Sequence, residues 1–238
     1  MNDRKREGAI VKVSGPLVVA RGLEGTKMYE MVRVGEMGLF GEVIESRGAR
    51  FSIQVYEETG GSGPGEPVVS TGNPLTVELA PGLLTSIFDG VQRPLDKLRA
   101  LFGDFIVRGA ETPALDRAKK WRFTPTKKVG ERVVAGDIIG VVPETPVIEH
   151  RVLVPQGVEG TIIAIAEKEA SIEEPVATVR TSAGDTHVSL LQKWPVRTGR
   201  PVAKRLPPVA PLVTGQRVLA MLCPLAKGGT ACGPAPFG

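Results

Sequence analysis

The residues with most chemical promise sit at the C-terminus, where Gly233-Pro234-Ala235-Pro236-Phe237-Gly238 resembles the first half of a phosphate-binding loop. Such a loop cradles phosphates with backbone N–H groups in a Gly-rich turn. It then opens a helix with Gly-Lys-Ser/Thr, whose Lys reaches the outer phosphates and whose hydroxyl holds Mg²⁺. Ala235, Pro236, Phe237 and Gly238 are therefore the candidate nucleotide-binding residues, and the Lys and hydroxyl would come directly after them. A second group is basic: Lys119, Lys120, Arg122, Lys127 and Lys128 form a patch that suits an acidic partner or, equally well, a solvated face.

The elements that would position these residues are mostly strands. The 238 residues include 29 Gly and 20 Pro with only 5% aromatic side chains, a balance that favours short strands and frequent turns over long helices. Thirty Lys and Arg against 26 Asp and Glu leave a net charge of +4, interspersed and too weak to point to nucleic acid. Cys223 and Cys232 read as reduced thiols of a cytosolic protein. No apolar run approaches a membrane span, and the N-terminus has no apolar leader core, so membrane contact is expected only through partners.

Along the chain, residues 1–72 read as a small β-barrel. Strands are expected at 9–13, 17–20, 29–34, 41–45, 51–56 and 67–70, with a break at Ser14-Gly15-Pro16 and a hairpin turn over Ser46-Arg47-Gly48-Ala49. Residues 73–110 read as a connector and not a site: a strand at 75–79, apolar residues at helical spacing over 82–89, and a short helix from Leu95 to Leu101 begun by Pro94. Residues 111–195 return to β structure. Lys128 to Val133 followed by Ala135-Gly136-Asp137-Ile138-Ile139-Gly140 resembles the hammerhead of biotinyl and lipoyl carrier domains. A carrier presents a Lys on a hairpin tip. Lys168 is the candidate, yet its flanks lack the Met-Lys-Met or Asp-Lys-Ala pattern, and a structural domain of shared fold is the stronger reading. Residues 196–238 begin as a Pro-rich basic linker; Thr214 is placed to cap a short helix, and Thr230-Ala231-Cys232 starts a strand feeding the Gly-rich loop.

Several segments together resemble the catalytic A-type chain of vacuolar-type and archaeal-type rotary ATPases. They are Met28-Tyr29-Glu30, Gly41-Glu42-Val43-Ile44, Val55-Tyr56-Glu57-Glu58-Thr59, Gly65-Glu66-Pro67-Val68-Val69, Gly82-Leu83-Leu84 and Phe88 through Leu95. Trp121-Arg122-Phe123-Thr124-Pro125, Gly136 to Gly140, Trp194-Pro195-Val196-Arg197 and Gly228-Gly229-Thr230 continue the pattern in order. The resemblance implies a mainly β fold class: a six-stranded N-terminal barrel, a barrel-sandwich-like inserted domain, and the incomplete start of an α/β P-loop nucleotide-binding domain. It implies B subunits that alternate with this one in a hexamer, peripheral-stalk subunits meeting the inserted domain, and a cytoplasmic place at the membrane within the complex. It implies Mg-ATP as cofactor of the complete catalytic chain, with none expected for this chain, and coupling to H⁺ or Na⁺ transport. It also marks a departure, since Ala235 stands where the family has the first loop Gly. The chain by itself is therefore expected neither to hydrolyse ATP nor to bind it tightly. A partial gene, an N-terminal piece and an intein insertion point all fit an ending at Gly238.

Overall fold

A computed structural model describes residues 6–202 and 204–232. Residues up to Thr198 form one compact unit and those from Gly199 a second.

The first unit opens with a closed barrel of six antiparallel strands: β1 (Glu7–Ser14), β2 (Leu17–Arg21), β3 (Glu30–Val34), β4 (Leu39–Arg47), β5 (Arg50–Val55) and β6 (Pro67–Pro74). The order around the barrel is β1-β2-β5-β4-β3-β6, so β6 closes on β1 and no edge is left open. Alternation drives it. In β5, Phe51, Ile53 and Val55 point inward and meet Val18, Ala20, Val32, Val34, Leu39 and Val68 in a continuous apolar core. The expected turns hold β1 to β2 and β4 to β5, though the second is tighter than the sequence indicates, with β4 running through Arg47 and β5 starting at Arg50.

After β7 (Thr76–Leu79) the chain makes a long excursion and returns at β16 (Gln192–Pro195), which pairs antiparallel with β7, Trp194 opposite Val77. Within it, α1 (Leu95–Phe102) follows Pro94 as expected, with Leu98 buried. Residues 82–89 are not helical, contrary to their apolar spacing. Thr85 adopts a left-handed φ of 67°, and the Glu144 carboxylate accepts the N–H groups of Gly82 at 2.7 Å and Leu84 at 3.3 Å, which fixes an open turn.

The rest of the excursion is a sandwich of two four-stranded sheets. One has the order β11 (Ile148–Leu153), β10 (Ile138–Thr145), β8 (Trp121–Pro125), β13 (Lys168–Ala170). The other runs β15 (Gly184–Ser189), β14 (Pro175–Thr181), β12 (Gly160–Ile165), β9 (Arg132–Val133). Phe123, Ile139, Val142, Ile162, Val179 and Val188 fill the space between them. Phe123 is fully buried because Gly140 on the neighbouring strand leaves room for its ring; a Cβ there would collide with it. Gly136, at φ 91°, makes the turn into β10, where Asp137 accepts the N–H of Val134 at 3.0 Å.

The second unit is small. Leu212 donates to the Leu225 carbonyl at 2.7 Å and Lys227 to the Ala210 carbonyl at 2.9 Å, around a single bridge of Pro211 with Ala226. Helix α2 (Arg217–Leu222) has no buried residue. Thr214 does not cap it. Gln216 is the N-cap residue, and the Thr214 hydroxyl instead accepts the Gln216 N–H at 3.2 Å, two residues on, because the turn at Gly215 sets it too far back. Residues 230–232 form no strand among the described residues, since nothing pairs with them there.

Candidate functional site

The sequence-selected residues Ala235, Pro236, Phe237 and Gly238 lie outside the described residues. Lys168 lies within them but not on a hairpin tip. It is the first residue of β13, paired in register with Phe123 of β8, so its backbone belongs to a ladder and not to the tight turn that would present it. The basic patch is largely tied to acidic neighbours: Arg122 to Glu167 at 2.7 Å and Lys127 to Glu131 at 3.2 Å, while Lys119 lies 3.9 Å from the Trp121 ring centre. Cys223 and Cys232 are free and exposed. No described helix is long and apolar enough to cross a membrane, and no three His, Cys, Asp or Glu side chains converge on a metal site among the described residues.

What the fold does bring together is a set of charged side chains where the barrel, the 80–111 segment and the β7–β16 ribbon meet. Arg93 is the centre. Its side chain is 9% exposed, and it donates to Asp89 at 2.6 Å, to Glu57 at 2.8 Å and to the Ala110 carbonyl at 3.0 Å. Burial works against the charge of Arg93, but the hydrogen bonds and fields of Asp89 and Glu57 outweigh it and hold the guanidinium protonated beyond its ordinary range. Glu57 also accepts the N–H groups of Phe40 at 3.1 Å and Gly109 at 3.2 Å, so one carboxylate joins a barrel strand to the 103–110 loop. Asp89 accepts the N–H groups of Val91 and Arg93, which shapes the turn that delivers Arg93.

In that same turn Gln92 has φ 64° and lays its amide along β7, accepting the Glu78 N–H at 2.6 Å and donating to the Glu78 carbonyl at 2.8 Å. The side chain thus covers part of a strand edge. Glu78 itself receives Arg117 at 2.6 Å.

A second tie uses the returning chain. Glu42, on β4, is 2% exposed and accepts both Arg197 nitrogens, at 2.9 and 2.6 Å, and the Tyr56 hydroxyl at 2.9 Å. The Arg197 guanidinium stacks 4.6 Å from the Tyr29 ring centre. Burial first, and then the Glu42 carboxylate, push the Tyr56 hydroxyl pKa up, so it stays a donor. Glu42 interrupts the inward–outward alternation of β4, and its partner is 155 residues away. No local signal points to that pair. The Asp89–Arg93 pair, four residues apart after a turn-forming Gly, was the one signal within reach.

The Glu144 clamp on Gly82 and Leu84 has a titratable neighbour. His150 Nδ1 lies 3.9 Å from Glu144, and burial pulls the imidazole pKa down while the carboxylate pulls it up. Burial prevails, because Glu144 is already engaged by two backbone donors at closer range. The unfolded chain therefore binds a proton that the folded chain excludes, and stability falls as pH drops through about 6.5 towards the lower folded midpoint. An NMR titration should place the His150 midpoint below about 6.5, and His150→Gln should flatten the acid limb of stability. A midpoint at or above that value would contradict this assignment.

The described site holds no arrangement of nucleophile, base and oxyanion donors; its chemistry is that of a joint. Comparison with known proteins gives that joint a context. Residues 10–72 match the family described as ATP synthase alpha/beta family, beta-barrel domain, and residues 112–197 match the ATPsynthase alpha/beta subunit barrel-sandwich domain. A V-type ATP synthase alpha chain from Acetivibrio thermocellus is 59% identical over 233 residues, which is 98% of this chain and 40% of that one. A V-type ATP synthase alpha chain from Thermoanaerobacter sp. (strain X514) is 56% identical with the same coverage. The corresponding catalytic-type chain of the A-type ATP synthase from Pyrococcus abyssi is 58% identical over 98% of this chain and 23% of its own length. The chain thus spans between 23% and 40% of the length of these relatives.

Proposed function

Because this chain belongs to the family of V-type ATP synthase alpha chains and their A-type ATP synthase counterparts, matching their N-terminal part, we propose that it builds that part of a rotary ATPase catalytic subunit. The assembly would couple ATP synthesis or hydrolysis to transmembrane H⁺ or Na⁺ transport. The observation that carries the reading is continuity: identity of 56–59% runs through barrel, joint and sandwich alike over 98% of the chain.

In this reading the closed barrel joins B subunits in an alternating ring, and the sandwich, held on the β7–β16 ribbon, reaches towards peripheral-stalk subunits. Residues 73–110 and 196–198 lock the two β bodies together through Arg93 and Arg197. The complete catalytic chain would use Mg-ATP, with Ala235 to Gly238 at its phosphate loop; the described residues supply positioning and assembly. The protein works in the cytoplasm at the membrane through its complex.

Co-expression with the B subunit of the Acetivibrio thermocellus enzyme tests this. Native mass spectrometry is expected to show complexes containing both chains. A folded chain that stays alone beside a large excess of B subunit would refute the assembly role.

A further inference from the structure

A cleft of about 620 Å³ opens where β3, the turn at 91–93, the 111–117 segment and β16 meet; its charged lining is Arg33, Arg93, Arg117, Lys193, Glu78 and Glu111. The four cations are not equivalent. Arg93 is neutralised from behind by Asp89 and Glu57, and Arg117 by Glu78 and by Glu173 at 3.1 Å. Arg33 is held differently. Its guanidinium lies 3.6 Å from the Phe40 ring centre and donates to the Gly38 carbonyl at 3.2 Å, contacts that orient the group without cancelling its charge.

The acid that pairs with Arg33 is Glu111, at 2.8 Å, and its side chain is 74% exposed. An ion pair of that exposure is weak and readily exchanged. Lys193 offers a second charge on the same cleft: it is 65% exposed and 3.9 Å from Glu78.

We propose that this cleft docks an acidic peptide segment of a partner protein, and that Glu111 holds the place of that segment's carboxylate on Arg33 in the free chain. A guanidinium oriented on an aromatic face has its planar fork prepared for a carboxylate. The group seated there is itself a side-chain carboxylate on a loop. Arg33 and Lys193 stand on separate strands and spread the positive charge along the cleft, which suits an extended acidic chain better than one compact anion. The inference stands on the cleft alone and does not depend on the rotary ATPase reading.

Fluorescence anisotropy with a labelled hexaglutamate peptide and the full chain, at low salt, is the test. Glu111→Gln should tighten binding by about threefold, by removing the internal competitor. Arg33→Gln should weaken it by about tenfold or more, and Lys193→Gln by less. Arg33→Lys, which keeps the charge and loses the fork, should fall between Arg33→Gln and the parent chain, and it guards against a Gln variant that fails to fold. Unchanged affinity in both Glu111→Gln and a folded Arg33 variant overturns the proposal. Inorganic phosphate competing as effectively as the peptide also overturns it, and reassigns the cleft to small anions.

Discussion

Arg93→Met is expected to lower the unfolding free energy of this chain by about 3–5 kcal/mol, because it strands two carboxylates in a site where a guanidinium had neutralised them. Glu57 and Asp89 are only 10% and 16% exposed, so water cannot replace the lost partner without opening the joint. The Ala110 carbonyl loses its donor as well. The cost comes mainly from the charges left behind, not from the net worth of the ion pair. Adding Glu57→Gln and Asp89→Asn to Arg93→Met should therefore recover part of the loss, although each acid-removing substitution is destabilising alone. Urea unfolding followed by circular dichroism reads all these variants. A loss below about 1 kcal/mol for Arg93→Met would place Arg93 with ordinary surface pairs and remove the joint's central tie.

The barrel was legible because its strands obey a period of two and its turns carry Gly at the required places. Phe51, Ile53 and Val55 alternate without interruption, and Gly15 and Gly48 punctuate the hairpins. The sandwich was legible for the same reason. The 82–89 segment was not. Leu83, Leu84, Ile87 and Phe88 have helical spacing, but a carboxylate 60 residues away binds the backbone that a helix would have used, and the sequence does not display that contact. Thr214 has the chemistry of a cap, yet the chain turns at Gly215 before the helix begins.

The joint was the least legible part, and it holds the residues with the most buried charge. Glu42 reads locally as an outward strand residue; only the return of the chain at Arg197 turns it into a buried acceptor. Glu57 likewise gains its meaning from Gly109 and Arg93, 52 and 36 residues on. The 73–110 segment reads as a connector because its residues lack catalytic types. It does connect, through Asp89, Gln92 and Arg93, by chemistry that depends on partners distant in sequence.

The other large effect is on activity and bears on what the whole chain is for. Residues 6–198 lie in one compact unit containing barrel, joint and sandwich, and the match to the Acetivibrio thermocellus alpha chain spans them at 59% identity. If this unit positions a catalytic chain within a rotary ATPase, it should do so for its relative. Replacing the matching part of that alpha chain with residues 6–198 should give a hybrid that assembles with its B subunits and hydrolyses ATP within about tenfold of the parent rate, a barrier change of about 1.4 kcal/mol. The same hybrid carrying Arg93→Met should lose assembled enzyme. The steady-state ATPase rate of the purified hybrid complex is the most direct measurement. Turnover near the parent rate is the result predicted here, and a hybrid chain that folds but neither assembles nor turns over ATP would contradict the account.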